Sequence, residues 1–498
     1  MLDFSHILSL PLLVLLPLVF ALFIMSPLCP QNEVFVRRFA KGVTLAHLAY
    51  AFLFWICYEN GFSSLVSPVW IKPLGVNFGF AMDNLALVMT ILTVVIFTLA
   101  VIASKSFIRQ GHKWYYALIL IFETSVLGIF NAADVLTFFL FWEFELVPAY
   151  FLIANWGEGL SAKKSAMKFV LFTFVGSLFM LVGLILLHYF NFLATGSLNG
   201  QISAFDVSAV GLNLQLLVSL LLLLGFGVKL PIVPIHTWLP AAHTDAPTPV
   251  SMLLAGVLLK TGAYAIIRFN LETLPAVFML LAPILAVFAL INIVHSALIA
   301  YAQTDIKRIV AYSSISNMGL VLLGICSMNI IGYTGAVFHM VGHGLITAGL
   351  FMICGIVYLR CKTRDINELG GVAVFAPRLF SFATIIVLAS IGIPLLAGFV
   401  GEVVTIVGAL ASELTDLMKI IAILSLPILI LSSCYMLKFL HSGFWGVSKK
   451  CQPSTDILSH EFVVLGVIVL MLLILGCYPQ ALIQMIDSIK VFDGVNLW

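Results

Sequence analysis

Apolar runs of about 20 residues, the length that carries a helix across a bilayer core, recur along this chain from end to end. No polar stretch between them is long enough to make a separate soluble domain. The pattern predicts an all-α integral membrane protein with about fourteen spans, near 7–26, 40–58, 80–104, 114–132, 134–155, 167–190, 213–239, 248–269, 277–300, 308–328, 332–359, 379–410, 418–445 and 460–480. Met1 to Met25 lacks the basic start and small-residue cleavage site of a signal peptide and reads as the first span.

Lys and Arg collect in alternate loops when spans are counted correctly. Sixteen lie on one side, among them Arg37, Arg38, Lys163, Lys164, Lys307, Arg360, Arg364, Lys449 and Lys450, against Lys72, Lys419 and Lys490 on the other. That asymmetry predicts both termini on the non-cytoplasmic side. Composition agrees: 62% of the 498 residues are hydrophobic and 9% charged, where soluble domains carry about a quarter. A net charge of +2 gives no reason to expect a nucleic-acid partner, and no glycine-rich phosphate loop or CxxC pair points to NAD, flavin, iron-sulfur or metal in this chain. The eight cysteines read as ordinary small apolar residues.

Five cations fall inside predicted spans: Lys168, Lys229, Lys260, Arg268 and Lys438. Arg268 and Lys438 lie near span ends, where a long stem can reach the interface; Lys229 and Lys260 do not. Glu123, Glu143, Glu145 and Glu402 join them. A charge near the bilayer centre costs roughly 2.5 to 3.5 kcal/mol on insertion scales, so these groups are either static ion pairs or the lining of a wet path. Positions 143 and 145 point about 200° apart on a helix and cannot serve one face.

Two spans should break. In GFGVKLPIVPIHTWLP (225–240), Pro231 and Pro234 would leave the carbonyls of Gly227 and Leu230 without donors, and in ASIGIPLLAGFVGE (389–402) Pro394 does the same to Ser390. Broken helices survive at membrane depth only where protein or water satisfies the freed groups, so each break predicts a wet pocket beside a charge. Grouping the spans around these breaks divides the chain into 1–113 (three N-terminal spans), 114–270 (a five-helix unit broken near Pro231), 271–446 (a second, inverted unit broken near Pro394) and 447–498 (a last span and tail), the inverted-repeat plan of many transporters.

The segments FWEFELVPAYFLI (141–153), VKLPIVPIHTWLPAAHTDAPTPVSMLLAGVLLKTGAY (228–264), QTDIKRIVAYSSISNMG (303–319) and GFVGE (398–402) resemble the antiporter-like membrane subunits of respiratory complex I, NADH:quinone oxidoreductase. Within that family the chain looks most like the subunit M, or chain 4, branch, because Glu402 stands where the L and N subunits usually carry Lys. The resemblance implies that Glu143 pairs with Lys229, that Lys260 is the central proton carrier, that Glu402 ends the second half-channel and that His343 lies between them. It implies other antiporter-like subunits and a redox arm as partners, iron-sulfur clusters, possible flavin and quinone bound in those other subunits, an electron donor of NAD(P)H or ferredoxin, and a bacterial, thylakoid or organellar membrane.

Departures from the family pattern rearrange the relay. Asn317 stands where His is usual and cannot titrate, Ala241 replaces Asp, and His295 and His339 replace other residues. His339 and His343 share a helix face, so His339 could take over the role lost at Asn317; two histidines at that spacing could also ligate a metal, though no third ligand is in view. His236 and His243 either feed protons toward Lys229 from the basic side or bond exposed carbonyls. His295 reads as a buried, hydrogen-bonded residue near a span end, and Arg364 with Asp365 as a structural loop contact. Lys168 and Glu123 complete the set of possible relay groups. Two other function classes fit parts of this pattern: a subunit of a multi-subunit cation/proton antiporter, and a scaffold subunit that no longer pumps.

Overall fold

The computed structural model describes residues 9–59, 65–207, 209–447, 451 and 455–487. The loop cations Lys449, Lys450 and Lys490 lie outside these residues.

In chain order the helices are α1 (Leu10–Met25), α2 (Glu33–Glu59), α3 (Asn84–Phe107), α4 (His112–Asn131), α5 (Val135–Phe144), α6 (Leu146–Trp156), α7 (Ala162–Thr195), α8 (Leu212–Lys229), α9 (Trp238–Asp245), α10 (Thr248–Leu253) and α11 (Leu259–Ala265). They continue as α12 (Pro275–Ala302), α13 (Ile306–Cys326), α14 (Ile330–Cys361), α15 (Val372–Phe375), α16 (Pro377–Ile391), α17 (Ala397–Leu410), α18 (Asp416–Ser425), α19 (Ile428–Phe444), α20 (Ser459–Cys477) and α21 (Gln480–Asp487). Among the described residues, twelve helical segments are long and apolar enough to cross a membrane, and α1, α16 and α17 are shorter apolar helices. Short polar residues set several starts: Asp83, Asp134, Asp305 and Asn329 each accept a backbone N–H from the first turn of α3, α5, α13 and α14. Two short antiparallel strand pairs, between 65 and 81, precede α3.

Burial sorts the helices into layers. The span 248–271, comprising α10 and α11 with π-helical turns at Leu254–Leu258 and Ile266–Leu271, is enclosed along its apolar length, as is the middle of α14. Around them α2, α7, α12, α19 and α20 show Leu, Ile, Val and Phe outward, as a lipid- or subunit-facing shell requires. Glycines let α14 and α17 touch backbone to backbone: a Cβ on Gly335 would collide with the amide nitrogen of Thr405, the close approach that small residues allow in membrane bundles.

Both breaks occur where proline requires them. At the first, however, Gly227 O accepts Ile232 N–H, Val233 N–H donates to Asn292 Oδ1 at 2.7 Å, and Asn292 Nδ2 donates to Pro231 O at 3.1 Å. Protein groups there do what was expected of a wet pocket. At the second, Gly392 and Leu395 take positive φ values of 81° and 71° in the break between α16 and α17, and the two halves continue in one direction along α14, with Ile386 against Gly349, Ala397 against Gly342 and Thr405 against Gly335. The cysteine expectation also needs correction: Cys361 at the end of α14 is bonded to Cys451, 90 residues on, a distance at which no CxxC spacing could announce it.

Candidate functional site

Lys229 closes α8 because Pro231 cannot continue the helix, and its ammonium is delivered to the bundle interior. Its direct ion-pair partner is Glu145, not Glu143; both members are essentially unexposed. The reason lies in α5 and α6. Pro148 has no N–H to offer the Phe144 carbonyl, so the helix loosens at Glu145 and turns that carboxylate toward α8. Glu143, about 200° around, is half-buried on the face it shares with exposed Val147 and Phe151. It stays within electrostatic reach of Lys229 without forming an ion pair. Lys229 Nζ also lies 3.8 Å from the Trp142 ring centroid and 3.4 Å from the Trp142 carbonyl.

Lys260, on α11, is fully buried. Its Nζ donates to Ala255 O, one turn back toward the basic-loop side, and meets His343 Nδ1 at 3.0 Å. His339 stands one turn away on α14, ring centroids 6.1 Å apart, and its Nε2 meets Asn317 Oδ1 at 3.1 Å. A Cβ on Gly401 would lie 2.7 Å from His339 Nδ1, and one on Gly392 would collide with Glu402 Oε2. The histidine is therefore pressed against the residue preceding Glu402, and the Glu402 carboxyl fills the hollow of the second break. Glu402 is 2% exposed, and its Oε2 has no hydrogen-bond partner. Lys260, His343, His339 and Asn317 thus form one buried line across α11, α14 and α13, and buried Glu402 lies beside it on α17, next to the glycine that His339 packs against. Among the described residues no group of three or more His, Cys, Asp or Glu is placed to hold a metal.

On the basic-loop side the line reaches a cluster hidden from a sequence reading. Lys307, a loop cation by pattern, is wholly buried at the start of α13; it pairs with Glu158 at 3.0 Å and donates to Ala246 O. Arg364 joins them, 3.4 Å from Glu158 and 3.3 Å from Asp305. His243 lies within electrostatic reach of Lys260 and Lys307, stacked on Phe351, both ring nitrogens buried without partners.

The remaining expected relay residues are elsewhere. Glu123 on α4 pairs with His47 on α2 at 2.8 Å, both fully buried, while His47 Nε2 bonds Leu13 O of α1 at 2.9 Å. This is a separate pair among the N-terminal helices. Lys168 donates to Thr237 O at 2.6 Å, capping the far end of the first break. His236 faces His295, rings 6.0 Å apart, and His295 is exposed on the outer surface of α12 rather than buried.

Residues 132–426 match the family described as NADH:quinone oxidoreductase/Mrp antiporter, TM. A Nostoc protein named NAD(P)H-quinone oxidoreductase chain 4 1 is 38% identical over 492 residues, covering 96% of this chain and 89% of that one. The Synechococcus elongatus protein of the same name is 38% identical over 488 residues, with 95% and 89% covered. Among solved structures, a chain of respiratory complex I from Thermus thermophilus with bound NADH superposes with a TM-score of 0.85 at 28% identity, over 96% of this chain and 98% of that one. A chain of the Mrp complex from Dietzia shares the fold, with a TM-score of 0.84 at 23% identity, over 96% and 52%.

Proposed function

The chain belongs to the NADH:quinone oxidoreductase/Mrp antiporter transmembrane family, and from that premise we propose that it is a proton-translocating membrane subunit of a complex I type oxidoreductase that passes electrons from NAD(P)H or ferredoxin to quinone. It works beside other antiporter-like subunits and a redox arm, which hold the iron-sulfur clusters, any flavin and the quinone. This chain supplies no redox chemistry.

The observation that carries the reading is the buried titratable line itself. Isolated charges in hydrocarbon are expensive, and here Lys260 meets His343 at 3.0 Å, His343 lies one turn from His339, and His339 meets Asn317 at 3.1 Å, with Lys229 and Glu402 buried in the same bundle. Lys229, held by Glu145 and within the field of Glu143, is the first station; opening or closing that pair changes how firmly Lys229 keeps its proton. Lys260 is the central carrier and exchanges with His343. His339 and Asn317 bridge toward Glu402, with His339 supplying the titratable ring that Asn317 lacks. Lys307 and His243 give a route inward from the basic-loop side. The division at 113, 270 and 446, the inversion of the second five-helix unit, the fourteen crossings and the placement of both termini away from the basic side belong to the same proposal. Glu123, His236 and Lys168 take supporting positions outside the line.

The test is the composition of the complex that co-migrates with this chain after mild detergent extraction, read by native gel and peptide mass spectrometry, together with proton pumping by vesicles carrying Lys229→Ala or Lys260→Ala. Redox-arm subunits in the band and pumping lost in both variants are expected. A band of antiporter-like subunits alone, with sodium exchanged for protons in the absence of an electron donor, would make the chain part of a cation/proton antiporter. Intact pumping in both variants would make it a scaffold.

A further inference from the structure

Lys260 faces the basic-loop side in this structure, yet a route toward the other side begins one turn below it. On the side poor in Lys and Arg lies a polar cavity of about 330 Å³, whose lining includes Asp83, Gln201, Ser203, Tyr264, Arg268 and Glu272. Of its lining residues, Tyr264 is the nearest in sequence to Lys260. It is 3% exposed and follows Lys260 by four residues on α11, a rise of about 6 Å. α11 is bounded by a π-helical turn at each end, Leu254–Leu258 and Ile266–Leu271, and such widened turns occur often at functional sites.

The polar groups between Tyr264 and the mouth form one connected set. The Tyr264 hydroxyl donates to Phe130 O at 2.7 Å and accepts from Arg268 Nε at 3.1 Å. Arg268 in turn pairs with Glu272 at 3.0 Å and with Asp83. Two carboxyl groups thus flank one guanidinium in the cavity wall. Asp83, 41% exposed, stands at the mouth. The arrangement is closed in that the Tyr264 hydroxyl is engaged by Arg268 Nε and Lys260 is turned toward Ala255 and His343.

We propose that this cavity is a proton outlet for Lys260, with the Tyr264 hydroxyl as its inner carrier and Arg268 as its gate. The proposal rests on Lys260 being a proton carrier, as argued above. To open, Arg268 moves fully onto Asp83 and Glu272 and frees the hydroxyl oxygen, while Lys260 swings on its flexible stem toward Tyr264. The ammonium then gives one proton to the hydroxyl oxygen as the hydroxyl's own proton passes to cavity water. Lys260 is left neutral and is recharged through His343. One proton crosses and no other bond changes.

The experiment uses membrane vesicles that carry the assembled complex, with Tyr264→Phe, Arg268→Gln, the double variant and Lys260→Ala side by side. It reads protons pumped per quinone reduced with NAD(P)H, and passive proton leak after a pH jump without substrate. Tyr264→Phe should lose pumping to the level of Lys260→Ala. Arg268→Gln should raise passive leak, and adding Tyr264→Phe should abolish that leak. If Arg268→Gln fails to assemble, Ser203→Cys replaces it and should react with a membrane-impermeant thiol reagent only from the side opposite the basic loops. Normal pumping in Tyr264→Phe with Lys260→Ala inactive overturns the outlet alone, as does a Ser203→Cys that stays unreactive. Normal pumping in Lys260→Ala overturns the relay on which the outlet depends.

Discussion

At the end of α8, Lys229 is buried against Glu145, charge against charge, with Glu143 nearby. Beside the break between α16 and α17, the equally buried Glu402 has no cation within ion-pair distance among the described residues, and the glycine before it, Gly401, packs against His339. The two halves of the line therefore keep a titratable group in hydrocarbon by different means. In the first a fixed countercharge offsets the cost of burial; in the second no countercharge stands within ion-pair distance among the described residues, and Oε2 is buried without a hydrogen-bond partner. A site of the first kind can switch by moving the countercharge, whereas one of the second kind switches only by gaining or losing a proton.

The sharpest way to break this comparison is to remove the countercharge. Removing one partner of a buried pair strands the other and costs roughly 3 to 5 kcal/mol. Glu145→Ala should therefore lower the thermal stability of the extracted complex markedly, and Glu143→Ala much less. Restoring stability by adding Lys229→Met, without restoring pumping, would separate the structural cost from the functional one. Equal losses from Glu143→Ala and Glu145→Ala would return Glu143 to the role of partner.

Glu402→Gln should behave in the opposite way. The amide keeps the shape of a protonated carboxyl and leaves no stranded charge, so stability should change by no more than about 1 kcal/mol, the size of a typical hydrogen-bond term, while pumping is lost. A stability loss as large as that of Glu145→Ala would show that Glu402 is charged and paired in the assembled complex.

How much of this was legible beforehand differs between the halves for physical reasons. Spans, breaks and the in-span charges follow from apolar run length and proline, and the sequence pattern places them where the helices lie. The partner of Lys229 did not follow, because it depends on which way a helix loosened by Pro148 turns, and a spacing of two residues says only that Glu143 and Glu145 diverge. Lys307 read as a loop cation since its burial arises from Glu158 and Arg364, distant in sequence. Glu123 looked like a relay group until His47, 76 residues away, appeared beside it. By contrast, His339 and Asn317 were within reach of pattern reasoning, because the spacing of His339 and His343 puts both on one face of α14.

A smaller effect sharpens the second half. His339→Gln should reduce pumping by removing the titratable ring while keeping a hydrogen bond to Asn317, and Asn317→His in that background should recover part of it. Unchanged pumping in His339→Gln would remove His339 from the route and leave Glu402 to be reached by water alone.

The smallest expected effect lies at the membrane surface, where burial of a carboxyl can be read directly as pH dependence. Glu272, just beyond the end of the span carrying Lys260, has its carboxyl raised above the ordinary value of 4.5 by burial, only partly offset by Arg268. A raised value means that the folded state binds the proton more tightly than the unfolded chain. Its contribution to stability is therefore fully present below the ordinary carboxylate range and is lost as pH rises through the folded value. Glu272→Gln removes that titration, so the stability of the variant should fall less between pH 4 and neutrality than that of the unmodified complex, in thermal melts across that range. A steeper fall in the variant would mean that Arg268 dominates over burial, making the carboxylate a net stabiliser at neutral pH. The cluster of Asp83, Arg268 and Glu272 would then be held by its ion pairs, as the site of Lys229 is.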